Sequence, residues 1–264
     1  MTVASQPWRP PLLWRAAMAT ARVVVGSVCR LRVTGDVPDD LRRGPLILAA
    51  NHVGAFDPFV LTAACAKRRI APRIMATGGL FRAPVVGPAM RAAGHIRVDR
   101  REPTVIAAFG TAQVALAEGS VLLGYPEGRI TLDPGMWPER GKSGLARLAK
   151  ASGAPVVPVA QWGAHLVLPW GAPRGMSGRI WWAIRHRPVV RVHFGEPVRF
   201  DADQSARAVR VATDRIMDAI VDELRPLRAD EPRLPAWTDP KRPLSTARTH
   251  RPAARGASPL AAAE

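Results

Sequence analysis

The stretch Leu46-Ile47-Leu48-Ala49-Ala50-Asn51-His52-Val53-Gly54-Ala55-Phe56-Asp57-Pro58 decides how this chain folds. The apolar run over residues 45–50 reads as a buried strand. Asp57-Pro58 reads as a helix start, with Asp at the N-cap and Pro at the first helical position, and the helix runs to about Lys67. Between strand and helix lie one histidine and one carboxylate. A histidine can take a proton from an alcohol, and a neighbouring aspartate can fix its tautomer and stabilise the imidazolium. His52 and Asp57 stand five positions apart across Gly54, so the loop can fold back and bring them within hydrogen-bond reach. No serine or cysteine stands close by as a nucleophile, which assigns the activated alcohol to a substrate. Each residue alone also has a plainer reading: Asp57 as a helix cap, His52 as a polar residue at a strand end.

Strands and helices alternate on both sides of this unit. Residues 11–30 carry Leu13, Ala17, Val24, Val28 and Leu31 on one side and Arg15 and Arg22 on the other, an amphipathic helix. Two readings stay open for it: a helix packed on the domain, or an interfacial helix on an anionic membrane with Trp8 and Trp14 near the headgroups. Strands are expected at Leu31–Thr34, at 72–77, at His95–Val98, at Val121–Tyr125, at 155–160 and at 188–195. Gly78 and Gly79 open a loop, and a short helix then carries Val86, Met90 and Arg91. Further helices are expected over 103–118, 143–152 and 203–224. The alternation predicts an α/β fold: a single domain with a mixed, largely parallel central sheet flanked by helices, preceded by the N-terminal helix. The organisation expected is therefore the helix at 1–30, the domain at 31–228, and a disordered basic tail at 229–264. That tail is rich in Pro, Arg, Ala and Ser and shows no periodicity.

The chain has 264 residues, 47% of them hydrophobic, enough for one good-sized core. Its formal charge is +17, which implies an anionic partner: nucleic acid, anionic lipid or a phosphorylated substrate. Cys29 and Cys65 are too few for a disulfide framework or a cysteine-rich zinc site, so a reducing compartment is expected. The six histidines show no ligand spacing, so no metal site is expected. Arg15 and Arg22 interrupt the early apolar segment, and no signal peptide is expected. No run of roughly 18 uncharged apolar residues exists, so no transmembrane helix is expected either.

Three more stretches carry groups suited to binding. In Gly94-His95-Ile96-Arg97-Val98-Asp99-Arg100, Ile96 and Val98 face one way and Arg97 and Asp99 the other. Arg100 falls at the strand end, where α/β proteins place ligand-binding groups. Tyr125-Pro126-Glu127-Gly128-Arg129 puts a charged tight turn at the end of a strand, and Gly128 permits close approach of a ligand. Arg140-Gly141-Lys142-Ser143-Gly144 opens a helix, where cations oppose the macrodipole unless an anion lies between them. Each again has a plain alternative: a surface arginine, a turn with an ion pair, a solvated lysine. Met136-Trp137, Trp170 and Trp181-Trp182 are candidates for a membrane surface.

Asn-His-x4-Asp, then Gly-x-Ile-x-x-x-Arg, then Tyr-Pro-Glu-Gly, then Val156-Val157-Pro158-Val159, in that order and each with its strand, resembles the glycerolipid acyltransferase family. That family includes the 1-acyl-sn-glycerol-3-phosphate acyltransferases, and the resemblance spans about Leu31 to Leu224. It implies that His52 acts as general base on a glycerol hydroxyl and that Asp57 orients it. The alkoxide then attacks the thioester carbonyl of acyl-CoA or acyl carrier protein, with no acyl-enzyme. It further implies that Arg100, Glu127 and Gly128 hold the acceptor, Arg100 on its phosphate, with Lys142 as a second phosphate contact. The thioester is a co-substrate, and no cofactor is implied. The other partners implied are a lysophospholipid acceptor, lysophosphatidic acid first, and an anionic membrane surface at the cytoplasmic face of the cell membrane. The enzyme would be peripheral or monotopic there, and no nucleic acid is expected. The sequence departs from the family pattern where Tyr125 replaces Phe, Arg129 the usual Thr and Ile130 the usual Arg. Arg129, itself a candidate substrate-binding residue, therefore opens the alternative of another lysophospholipid or alcohol as acceptor. A reading of a different class, a non-catalytic basic protein binding membrane or nucleic acid, gives no role to the His52–Asp57 pair.

Overall fold

The apolar run becomes β2 (Leu46–Ala50), every residue of which is buried. In the computed structural model the described residues are 8–99, 104–168, 176–231, 242 and 245–252. Among them, β2 is the middle of a seven-stranded sheet. The others are β1 (Arg30–Gly35), β3 (Pro72–Thr77), β4 (Ile96–Val98), β5 (Val121–Gly124), β6 (Val156–Trp162) and β7 (Val189–Phe194). Their order is β1-β7-β6-β2-β5-β3-β4. Five pairings are parallel and one, β6 with β7, is antiparallel, so the sheet is mixed and largely parallel as expected.

Strict alternation along β2 explains why its whole length is apolar. Leu46, Leu48 and Ala50 enter one core and Ile47 and Ala49 the other. The first core is covered by α1 (Leu12–Val28), α2 (Asp57–Lys67) and α8 (Met176–His186), and the second by α5 (Thr104–Ala117), α6 (Gly144–Ser152) and α9 (Ala206–Leu227). A strand buried on both faces must be apolar at both parities, the mark of a sheet with helices on each side. Each fully buried Leu or Ile contributes about 1.5–3 kcal/mol to this arrangement. Ser205 caps α9 conventionally, its Oγ accepting from the Ala208 N–H at 3.2 Å. Three short helices, α3 (Gly78–Arg82), α4 (Val86–Ala92) and α7 (Ala164–Val167), complete the described set.

Several elements differ from the sequence reading. The buried face of α1 is Trp14, Met18, Ala21, Val25 and Val28, while Leu13, Ala17 and Val24 are exposed. Trp14 takes the inner position because its indole packs edge-on to the His95 ring at a centroid distance of 4.3 Å. Gly78 and Gly79 begin α3 instead of a loop. Residues 164–186 hold two helices, α7 and α8, where none was expected. The tail expected to be disordered is, at residues 242 and 245–252, packed on the domain. Arg242 and His250 are buried, Thr249 bridges antiparallel to Glu139, and the His250 N–H donates to the Pro138 carbonyl at 2.8 Å. Polar anchoring, which leaves no periodic apolar signature, holds it there.

Candidate active site

β2 and β5 are hydrogen-bonded neighbours, with Ala49 opposite Gly124. The residues that leave these two strands at their C-terminal ends therefore start side by side. His52 leaves β2 and Tyr125 leaves β5, and their rings stack at 4.0 Å with a 14° tilt. The tyrosine thus serves as a floor for the imidazole.

Asp57 stands at the start of α2, but it is the first helical residue; Phe56 is the cap, and no side chain caps the helix. The N-cap role expected of Asp57 is thus replaced by a backward one. Its Oδ2 accepts from the N–H groups of Val53 at 2.6 Å and Gly54 at 2.9 Å and lies 2.7 Å from His52 Nδ1. The carboxylate is fully buried, whereas the His52 side chain stays 14% exposed. Two backbone donors and the N-terminus of α2 thus face this carboxylate. An ionised Asp57 makes Nδ1 the protonated nitrogen and leaves the lone pair on Nε2. The loop is tightly walled. A Cβ at Gly54 would stand 3.0 Å from the Leu168 carbonyl oxygen, so only glycine passes that point freely.

Glu127 lies beneath this loop. Its Oε1 accepts from the His52 N–H at 3.0 Å and its Oε2 from the Glu139 N–H at 2.8 Å. With 3% exposure and both oxygens engaged by backbone N–H groups, it braces the His52 loop. Burial pushes its carboxyl up to about 8, while its two N–H donors pull down and the Glu139 and Asp57 charges add to the rise. Gly128 adopts φ +70° at the end of the turn, where a Cβ would meet Lys142 Cδ and Nζ at 3.1 Å. Lys142 is thereby brought over the turn, its own N–H donating to the Pro126 carbonyl at 2.8 Å. Arg129 points away to Glu139, its Nε and Nη2 each 2.8 Å from one carboxylate oxygen. A bidentate partner of this kind fixes the guanidinium, so Arg129 secures the turn. Arg100 lies outside the described residues, as does Trp170. Just before Arg100, Arg97 Nε donates to Asp99 Oδ2 at 2.7 Å, the same-face pairing expected of that strand.

Four participants have no role in the sequence reading. Glu139 joins Glu127 to Arg129, and Arg242 donates to carbonyls of the His52 loop and of Thr131. Gln161 and Asn51 exchange three hydrogen bonds of 2.8–3.0 Å that tie the end of β2 to β6. Only Asn51 carried a signal, its place directly before His52.

The family model described as Acyltransferase matches residues 30–162, half of the chain. The chain belongs to the acyltransferase family. The match covers β1 through β6 and so includes the His52 loop, the Glu127 turn and Lys142. Among solved structures the acyltransferase is similar to the 1-acyl-sn-glycerophosphate (LPA) acyltransferase PlsC from Thermotoga maritima. The TM-score is 0.59 at 21% identity, over 80% of this chain and 78% of that one. At that identity the likeness is one of fold. No curated protein matches the chain. Membership brings an acyl donor and a lipid acceptor as the substrate classes of this acyltransferase, and it leaves the reading as a non-catalytic basic protein without support.

Proposed function

We propose that the enzyme transfers a fatty acyl group from acyl-CoA or acyl carrier protein to the free hydroxyl of lysophosphatidic acid, giving phosphatidic acid. The observation that carries this reading is the His52–Asp57 pair, 2.7 Å apart beyond the C-terminal end of β2, with a buried carboxylate and a partly open imidazole. His52 Nε2 takes the hydroxyl proton, and the oxygen attacks the thioester carbonyl carbon. The C–S bond then breaks, an ester C–O bond remains, and the imidazolium returns its proton to the thiolate. Asp57 keeps Nδ1 protonated throughout and stabilises the imidazolium while it lasts. No residue becomes acylated. Arg100 and Lys142 are the groups proposed for the acceptor phosphate.

The commitment of Arg129 to Glu139 favours a second acceptor as an alternative. A phosphate site built from Arg100 and Lys142 alone admits a larger headgroup, as in another lysophospholipid. Membrane association is part of the proposal. The outer side of α1 presents Leu12, Leu13, Val23 and Val24, and α8, which packs against α1, presents Met176, Ile180, Trp181 and Ile184. Exposed Arg15, Arg22 and Arg185 flank these side chains. Apolar groups beside arginines suit an anionic bilayer surface, and no described helix is long and apolar enough to cross a membrane. We propose the cytoplasmic face of the cell membrane as that surface. The test supplies oleoyl-CoA with lysophosphatidic acid, glycerol 3-phosphate or lysophosphatidylglycerol in turn and identifies the ester by mass. Phosphatidic acid as the main product supports the first reading, phosphatidylglycerol supports the second, and hydrolysis alone contradicts both.

A further inference from the structure

The backbone of His52 is enclosed by hydrogen bonds from outside its own loop. Glu127 takes its N–H, and the Thr131 N–H donates to its carbonyl at 2.8 Å. Arg242 completes the enclosure. Its Nη2 donates to the carbonyl of Val53 at 2.8 Å and its Nη1 to the carbonyl of Thr131, so one guanidinium joins the two segments that hold His52. Arg242 lies at 5% exposure, 190 residues along the chain from His52. Burying a cation costs free energy that two carbonyl acceptors offset only in part. An apolar side chain would fill the space at lower cost but would leave two buried carbonyls without donors.

The residues after Arg242 fasten the same region. Thr249 Oγ1 donates to Asp133 Oδ2, and the Arg140 N–H donates to the Arg248 carbonyl at 2.8 Å. Arg248 Nε lies 3.3 Å from the Glu139 carboxylate that also holds Arg129. His250 Nε2 lies 2.6 Å from Asp218 Oδ1 on α9. Residues 245–252 thus clip the 131–140 loop to α9, and that loop carries both Thr131 and the Glu139 N–H that fixes Glu127.

We propose that Arg242 is a positioning residue of the acyl-transfer reaction, and that Arg242 together with residues 245–252 acts as a strap that holds the His52 loop in register. The proposal rests on His52 being the base. Arg242 touches neither substrate nor reacting atoms; it acts by fixing the Val53 and Thr131 carbonyls, and through them the place of the imidazole. A misplacement of about 1 Å costs roughly 10²-fold in rate. Lysine reaches one carbonyl with a point charge, whereas the arginine fork reaches both.

The test uses the full chain with oleoyl-CoA and lysophosphatidic acid, His52→Ala as reference, and the variants Arg242→Met and Arg242→Lys. Arg242→Met is expected to lower kcat by ~30-fold or more, with KM for both substrates within about threefold, and Arg242→Lys to recover part of the loss. Amide exchange at Val53 and Gly54 should quicken by ~10-fold or more while β2 and α9 keep their protection. Should Arg242→Met fail to fold, Arg242→Lys and Thr249→Val carry the same two readouts. An unchanged kcat in a folded variant beside an inactive His52→Ala overturns the strap alone. A loss of kcat that accompanies faster exchange throughout the molecule also overturns it, since the role is then merely structural. Activity surviving in His52→Ala overturns the base assignment and the strap's catalytic role with it, and sets the proposed mechanism aside.

Discussion

At the residue scale, the His52 ring is held by Asp57 at its Nδ1 edge and by Tyr125 across one face. The tyrosine hydroxyl is a cost that this arrangement does not require. It is buried and has no hydrogen-bond partner among the described residues, and burial, then the Asp57 charge, raise its pKa well above the usual phenol range. Removing it leaves the stacking ring in place. Tyr125→Phe is therefore expected to raise unfolding free energy by ~1 kcal/mol and to leave kcat within about threefold. Urea unfolding and initial rates check this, and a loss of stability would show that the hydroxyl has a partner in solution. The meeting of His52 with Asp57 was legible in the sequence because a five-residue loop with a glycine settles it locally. The brace formed by Glu127 was not, because its two donors come from His52 and from Glu139, residues brought to it by the pairing of β2 with β5 and by a separate loop. The pairing of Arg129 with Glu139 was not legible for the same reason: the partner stands ten residues away across a loop with no regular period.

At the element scale, α1 does two jobs with two faces. Trp14, Met18 and Val25 enter the core, so deleting the helix would open that core as well as remove any membrane contact. A test of membrane binding has to alter the outer face alone. Val23→Glu combined with Trp181→Ser should reduce co-sedimentation with phosphatidylglycerol vesicles by ~10-fold or more and leave the melting temperature nearly unchanged, since both side chains lie in solvent at 73% and 66% exposure. Undiminished pelleting would move the contact to another part of the surface. The existence of α1 was legible from its period, and so was the burial of Val28, but the inner positions near Leu13, Ala17 and Val24 fall one residue later. Apolar residues occur all around this helix, so periodicity gives the element and packing chooses the side. The α8 helix went unread because Gly178 and the Pro- and Gly-rich residues before it look like loop material. Its helical spacing of Met176, Ile180, Ala183 and Ile184 emerges only once that segment is set apart.

At the scale of the whole molecule, the sheet was legible because a doubly covered parallel strand must be apolar throughout, as β2 is. The strap was not, because it is held by Arg242, Thr249 and His250 through polar bonds, and its composition is that of a disordered tail. Acid stability is also a whole-molecule property. Burial, and then the charge of Arg73, lower the His95 pKa to about 4; burial, and then the charges of Arg242, Arg228 and Arg179, lower that of His165 to about 3. The unfolded chain binds these protons from about pH 6.5 downward and the folded one does not, so the contribution of these two histidines to stability falls as pH drops from there toward 4, against the opposite slope of Glu127. Each histidine contributes a slope of at most about 1.4 kcal/mol per pH unit. Urea midpoints from pH 7 to pH 4 should show that slope reduced in His165→Leu, and an unaltered slope would place the proton uptake elsewhere. The central claim is that His52 activates the acceptor hydroxyl, and acceptor-dependent thiol release from oleoyl-CoA by wild type and His52→Ala tests it most directly. The account predicts a loss of ~10² or more in turnover with vesicle binding retained; turnover within about fivefold of wild type would contradict it.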